Sequence, residues 1–145
     1  PRCMANLSQI GKGLKMYAMD HEDRFPSSFL DLTNYAGNPK LYVCGNSGHL
    51  PGAMSNVNEW TDYAYVSGLT EADPSASVVV FCLPENHKGV GANVLYMDGS
   101  VTWSQTPDFI ALTSTPSLFF GTTNLNQLAE IQKRAKIIRA TKQIK

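Results

Sequence analysis

Met4, Leu7, Ile10, Leu14, Tyr17 and Ala18 recur at steps of three and four, the apolar stripe that an α-helix presents to a core. Lys12, Lys15, Asp20 and Glu22 lie mostly off the stripe, so the helix is one-sided and packs on a body. Gly11 and Gly13 each weaken it by about 1 kcal/mol relative to Ala. Pro26 disfavours helix in the residue before it, which predicts an end near Asp23. Residues 27–36 carry a second, short helical signal with Ser28 as its cap and Phe29, Leu30 and Leu32 apolar. Leu41 to Cys44 reads as a brief extended piece, and Gly45 to Trp60, rich in Gly, Asn and Ser, as a long surface loop.

Strand signals follow. Asp62–Val66 alternates Tyr63 and Tyr65 with smaller neighbours, and Ser77–Cys82 holds the continuous apolar run Val78, Val79, Val80, Phe81. Asn93–Met97 and Val101–Trp103 flank Asp98-Gly99, a strong hairpin signal, so these two strands pair antiparallel. Thr106–Leu112 predicts a short helix or turn, and residues 113–121 a linker with the apolar knot Leu118, Phe119 and Phe120. A closing helix is set by Asn124 as N-cap with Gln127 three residues on, and by the stripe Leu125, Leu128, Ile131, Ala135, Ile138. Helix, small antiparallel sheet, then helix indicates an α+β fold, with a body over 1–121 and a basic amphipathic helix over 122–145.

The 145 residues suit one domain able to bury a core without metal or disulfide staples. Twelve basic and twelve acidic residues cancel, which argues against a nucleic-acid binder. The balance conceals an asymmetry: residues 130–145 hold six Lys or Arg and one acid, on an otherwise net acidic chain. A solvated helix end accounts for it more simply than an acidic partner surface. No run of about 18 apolar residues is present. The chain opens at Pro1-Arg2-Cys3, already inside a helix, the start expected of a processed or truncated chain.

Two segments carry a resemblance. Cys3-Met4-Ala5-Asn6-Leu7-Ser8-Gln9-Ile10-Gly11, followed by Tyr17, Asp20 and Phe25-Pro26, resembles the stretch just after the membrane segment of type II secretion pseudopilin-like proteins. Tyr42-Val43-Cys44 resembles their next Cys-containing segment, although Gly45 stands where Pro is usual. His87 with Gly91-Ala92-Asn93-Val94-Leu95-Tyr96-Met97-Asp98-Gly99 is similar to the prepilin-associated motif of a His, nine residues and Asp-Gly. Here ten residues separate His87 from Asp98. The resemblance spans about Cys3 to Trp103. It implies a pilin-like fold in which residues 1–23 are the soluble half of a longer helix, Met4, Leu7, Ile10, Leu14 and Tyr17 hold that helix on its sheet, and an apolar anchor precedes it. It also implies a non-enzymatic subunit, anchored in the inner membrane with its globular part in the periplasm or outside the cell. Its partners would be other pseudopilins and secretion machinery.

Candidate chemistry is sparse. Three cysteines, Cys3, Cys44 and Cys82, are no disulfide framework. One bridge and one free thiol suits an oxidising compartment; spacing does not choose the pair, and Cys3–Cys44 is the one carried forward. Cys82, His87 and Asp98 contain the types of a nucleophile, base and orienter, but Cys82 ends an apolar run and reads better as a buried thiol. Type II major pseudopilins carry calcium in a late loop, and the resemblance implies that Asp98, with Asp73 or Glu85, would supply its oxygen donors here. Turn chemistry with Gly99 explains Asp98 more simply, because no dense ligand run occurs. Cys44, His49, Cys82 and His87 as a zinc set lack paired short spacings. Gly91 reads as a backbone-conformation residue, and His21 and His49 as surface histidines. Trp60, Tyr63, Tyr65, Tyr96 and Trp103 as a stacking platform would make the chain a small extracellular carbohydrate- or ligand-binding module, the alternative reading.

Overall fold

The computed structural model describes residues 2–109, so the linker with Leu118, Phe119 and Phe120 and the expected helix over 122–145 lie outside the described residues. The fold is α+β. Helix α1 runs Arg2–Asp20 and packs on a four-stranded antiparallel sheet made of β1 Ala64–Tyr65, β2 Val78–Phe81, β3 Gly91–Tyr96 and β4 Val101–Gln105, in that spatial order. No helix among the described residues is long and apolar enough to cross a membrane.

One face of α1 is buried through Cys3, Leu7, Ile10, Leu14 and Ala18. Met4 departs from the expected stripe: it is 38% exposed, and Cys3 takes its place. At 3.6 residues per turn Cys3 lines up with Leu7, Ile10 and Leu14, whereas Met4 is rotated about 100° away. Tyr17 is partly buried, stacked on His21 with ring centroids 3.7 Å apart. The two glycines expected to weaken the helix allow close approach instead. A Cβ on Gly11 would lie 3.1 Å from Leu95 of β3, and one on Gly13 only 2.8 Å from the Ala36 Cβ. The helix stops at Asp20, three residues short of expectation, because Glu22 and Asp23 turn left-handed (φ 57° and 63°) and the Asp23 amide closes on the Ala18 carbonyl.

The β3–β4 hairpin forms as its turn residues predict. Gly99 sits at φ 88°, and Asp98 Oδ1 accepts from the Ser100 amide and hydroxyl. β2 is buried along its whole length, and its register with β3 slips between Val78 and Val80, a bulge at Val79. Ser28 caps a 3₁₀ turn over Phe29–Leu32 as predicted. Two expectations fail locally. The piece expected to be extended begins as a 3₁₀ turn, Pro39–Tyr42, because Asn38 caps it and Pro39 pre-sets its first φ. The long loop before β1 ends in a 3₁₀ turn, Met54–Asn56, and the one-turn helix α2, Val57–Trp60, anchored by fully buried Val57 and by the Trp60 indole donating to the Ala53 carbonyl. Residues 106–109 are helical; the rest of that expected segment lies outside the described residues.

Candidate metal centre

Four segments meet beneath the first turn of α1. Cys3 comes from that turn, on the buried face. Cys44 follows the Pro39–Tyr42 turn. Cys82 extends β2 by one residue, its amide donating to the Asn93 carbonyl of β3. His87 ends the 3₁₀ turn Pro84–His87, after which left-handed Lys88 and Gly89 (φ 57° and 78°) reverse the chain into β3. The three sulfurs and one imidazole nitrogen all lie within 4.8 Å of one another. Cys44 Sγ is 3.5 Å from His87 Nε2. The three cysteines are buried free thiols, so the Cys3–Cys44 pair is brought together but not bridged: a third sulfur and an imidazole share the same spot.

Polar neighbours face the cluster. Asn86 Nδ2 donates to Cys82 Sγ at 3.0 Å, and the Tyr63 hydroxyl points at Cys3 Sγ from 3.8 Å. The amide oxygens of Asn86 and Asn93 are buried without partners, and the Asn86 amide serves sulfur at the expense of its carbonyl. His87 Nδ1 lies 3.1 Å from the Asn46 side-chain amide, and the His87 ring meets Trp103 edge-on. The Cys3 thiol is held far below the ordinary thiol range because Cys44 and Cys82 donate to it. The Cys44 thiol is pushed up to about 11, chiefly by its bond to Cys3, and the Cys82 thiol is raised well above the ordinary thiol range, chiefly by burial. Three sulfurs and an imidazole nitrogen converging in this way are a donor set for a soft cation.

Asp62 fixes the loop that carries Cys44. It is fully buried, and its Oδ2 accepts from the Cys44 amide at 2.8 Å and from the Ser47 hydroxyl at 2.6 Å. Its Oδ1 lies 2.5 Å from His49 Nδ1. His49 is therefore not a surface histidine: its side chain is 8% exposed. It stands outside the ligand cluster, and Cys3 replaces it in the zinc set considered from spacing. Nothing local in the sequence signals this, because the ligand set closes only when α1 docks on the sheet; the one available hint is that Cys3 continues the spacing of Leu7, Ile10 and Leu14.

The other candidate sets are not brought together. Asp98 lies at the β3–β4 turn, where its amide meets the Ser75 carbonyl before the start of β2. Glu85 lies beyond the opposite end of β2, and Asp73 accepts from the Thr70 amide in its own turn. The same separation takes Asp98 away from Cys82 and His87, so no Cys–His–Asp triad assembles. The aromatic residues do not share a surface. Tyr63 is fully buried, Tyr65 packs on Phe29 and donates to the Pro26 carbonyl, Tyr96 is half-buried, Trp60 is tied to Ala53, and Trp103 stands against His87. Gly91 serves close packing rather than the special backbone conformation expected of it: its φ is not left-handed, but a Cβ there would lie 2.5 Å from the Ser104 carbonyl and 2.6 Å from Trp103. Comparisons with family models, with curated proteins and with solved structures find no match for this chain.

Proposed function

We propose that the chain is a pilin-like, pseudopilin-like structural subunit of a bacterial type II secretion or type IV pilus-like assembly, and that it is not an enzyme. The observation that carries this reading is the two-faced α1. Leu7, Ile10 and Leu14 are sealed on the sheet, while Met4, Met16 and Met19 stand on the outer face, 38%, 53% and 80% exposed. Helix-to-helix packing in a filament, a heterologous and non-closing interface, would cover these exposed methionines along the side of α1 turned from the sheet. The order of helix, antiparallel meander and motif hairpin agrees with the resemblance of residues 3–26 and 87–101 to that family. Burial of all three thiols supports a structural role, since a nucleophile has to reach its substrate. In this reading the subunit is anchored in the inner membrane by a segment preceding Pro1, its globular part lies in the periplasm or outside the cell, and its partners are other pseudopilins.

The test is to read the coding sequence upstream of Pro1 and to fractionate cells expressing the full gene. A short basic leader and about 20 apolar residues running into Cys3, with the product in the inner membrane, is the expected result. A start codon, a cleavable signal peptide or another domain directly before Pro1 overturns the filament reading in favour of the binding module, for which glycan titration is then the assay.

A further inference from the structure

We propose that Cys3, Cys44, Cys82 and His87 bind one zinc ion in a closed, structural Cys₃His site. This stands independently of the filament reading, because it rests on the donor geometry alone.

The distances suit a single ion. Zinc bonds of about 2.3 Å to sulfur and about 2.0–2.1 Å to imidazole, arranged tetrahedrally, put neighbouring sulfurs about 3.8 Å apart and sulfur and nitrogen about 3.6 Å apart. Cys44 Sγ and His87 Nε2 are already separated by 3.5 Å, and no donor is more than 4.8 Å from any other. Bridged iron–sulfur clusters need their thiolates spread more widely around several irons. Three sulfurs and one imidazole in a tetrahedron select zinc among the common divalent ions. Four protein donors fill the coordination sphere, and burial of the sulfurs shuts out a water ligand, so the site is structural rather than catalytic.

The surroundings suit the charge that binding creates. Zinc would displace the thiol protons to solvent and sit among three thiolates and a neutral imidazole, leaving the site one negative charge. The Asn86 amide and the Tyr63 hydroxyl are the donors that spread it, and they already face sulfur. With Nε2 on the metal, His87 Nδ1 carries a proton, and the Asn46 amide beside it supplies a carbonyl acceptor by turning over. Such partners fix both tautomer and ring plane in structural zinc sites.

The test uses the whole 145-residue chain, expressed in zinc-supplemented medium and purified without chelator. Elemental analysis is expected to give about one zinc per chain, and thiol titration to show three slow thiols that react once the zinc is stripped. Exchange with Co²⁺ should give the thiolate charge-transfer band and intense visible bands of a tetrahedral S₃N centre. His87→Gln, at a half-exposed position where the variant should fold, and Cys82→Ser should each lower bound zinc at least ~10-fold. The wild-type cobalt spectrum decides the matter even where Cys82→Ser does not fold. A folded, reduced chain that takes up less than about one-tenth of an equivalent of zinc overturns the proposal. So does an octahedral cobalt spectrum, a disulfide among the three cysteines in the freshly purified chain, or iron in place of zinc.

Discussion

Replacing Asp62 tests how the Cys44 loop is held. This carboxylate is fully buried and accepts three hydrogen bonds, from the Cys44 amide, the Ser47 hydroxyl and His49. Bonds to a charged acceptor contribute about 1.5 kcal/mol each at the low end, so three come to about 4–5 kcal/mol. Removing one partner of a buried, bonded charge costs about 3–5 kcal/mol, which agrees. Asp62→Ala should therefore lose about 4 kcal/mol, a large part of the roughly 5–15 kcal/mol that a domain has. Asp62→Asn should lose less, about 1–2 kcal/mol. Its remaining oxygen still serves Cys44 and Ser47, while its NH₂ faces a His49 nitrogen that accepts in the other tautomer. Urea unfolding followed by the fluorescence of Trp60 and Trp103 measures both. An Asp62→Ala variant within about 1 kcal/mol of the parent, or one no worse than Asp62→Asn, would falsify the reasoning.

Two further perturbations separate neighbouring effects. Leu7→Ala should cost about 2–5 kcal/mol, because Leu7 is fully buried, and Met4→Ala within about 0.5 kcal/mol of nothing; equal losses in paired denaturation curves would mean α1 seats on a different face. Asn86→Ala removes the donor to Cys82 and should weaken zinc binding ~10–100-fold in a chelator competition, with the fold retained by circular dichroism; unchanged affinity would remove Asn86 from the site.

Features that depend on nearby residues were legible in the sequence. The Asp98-Gly99 turn, the Ser28 cap and the apolar run of β2 all follow from chemistry within a few positions. α1 was legible as a one-sided helix, but its facing was misread by one residue, since counting Met4 as core and Cys3 as chemistry hides that Cys3 continues the stripe. The 3₁₀ turn at Pro39–Tyr42 was obscured by Tyr42 and Val43, which favour strands, although Asn38-Pro39 is a sound helical start. The centre was least legible. The zinc set weighed in the sequence lacked paired short spacings and included His49, a residue that the structure commits to Asp62, whereas the fourth donor of the cluster, Cys3, arrives from the far end of the chain. Docking of α1 on β3 brings it there, through contacts such as Gly11 against Leu95 that no periodicity encodes.

The placement of Cys3 in the first turn of α1 has a mechanical side. That turn abuts the segment after Tyr42 and the end of β2, and Asn6, one turn on, donates to the Val43 carbonyl. Tension along the helix axis from its first turn would therefore meet the loop after Tyr42 and the end of β2 together, before it reached the rest of α1.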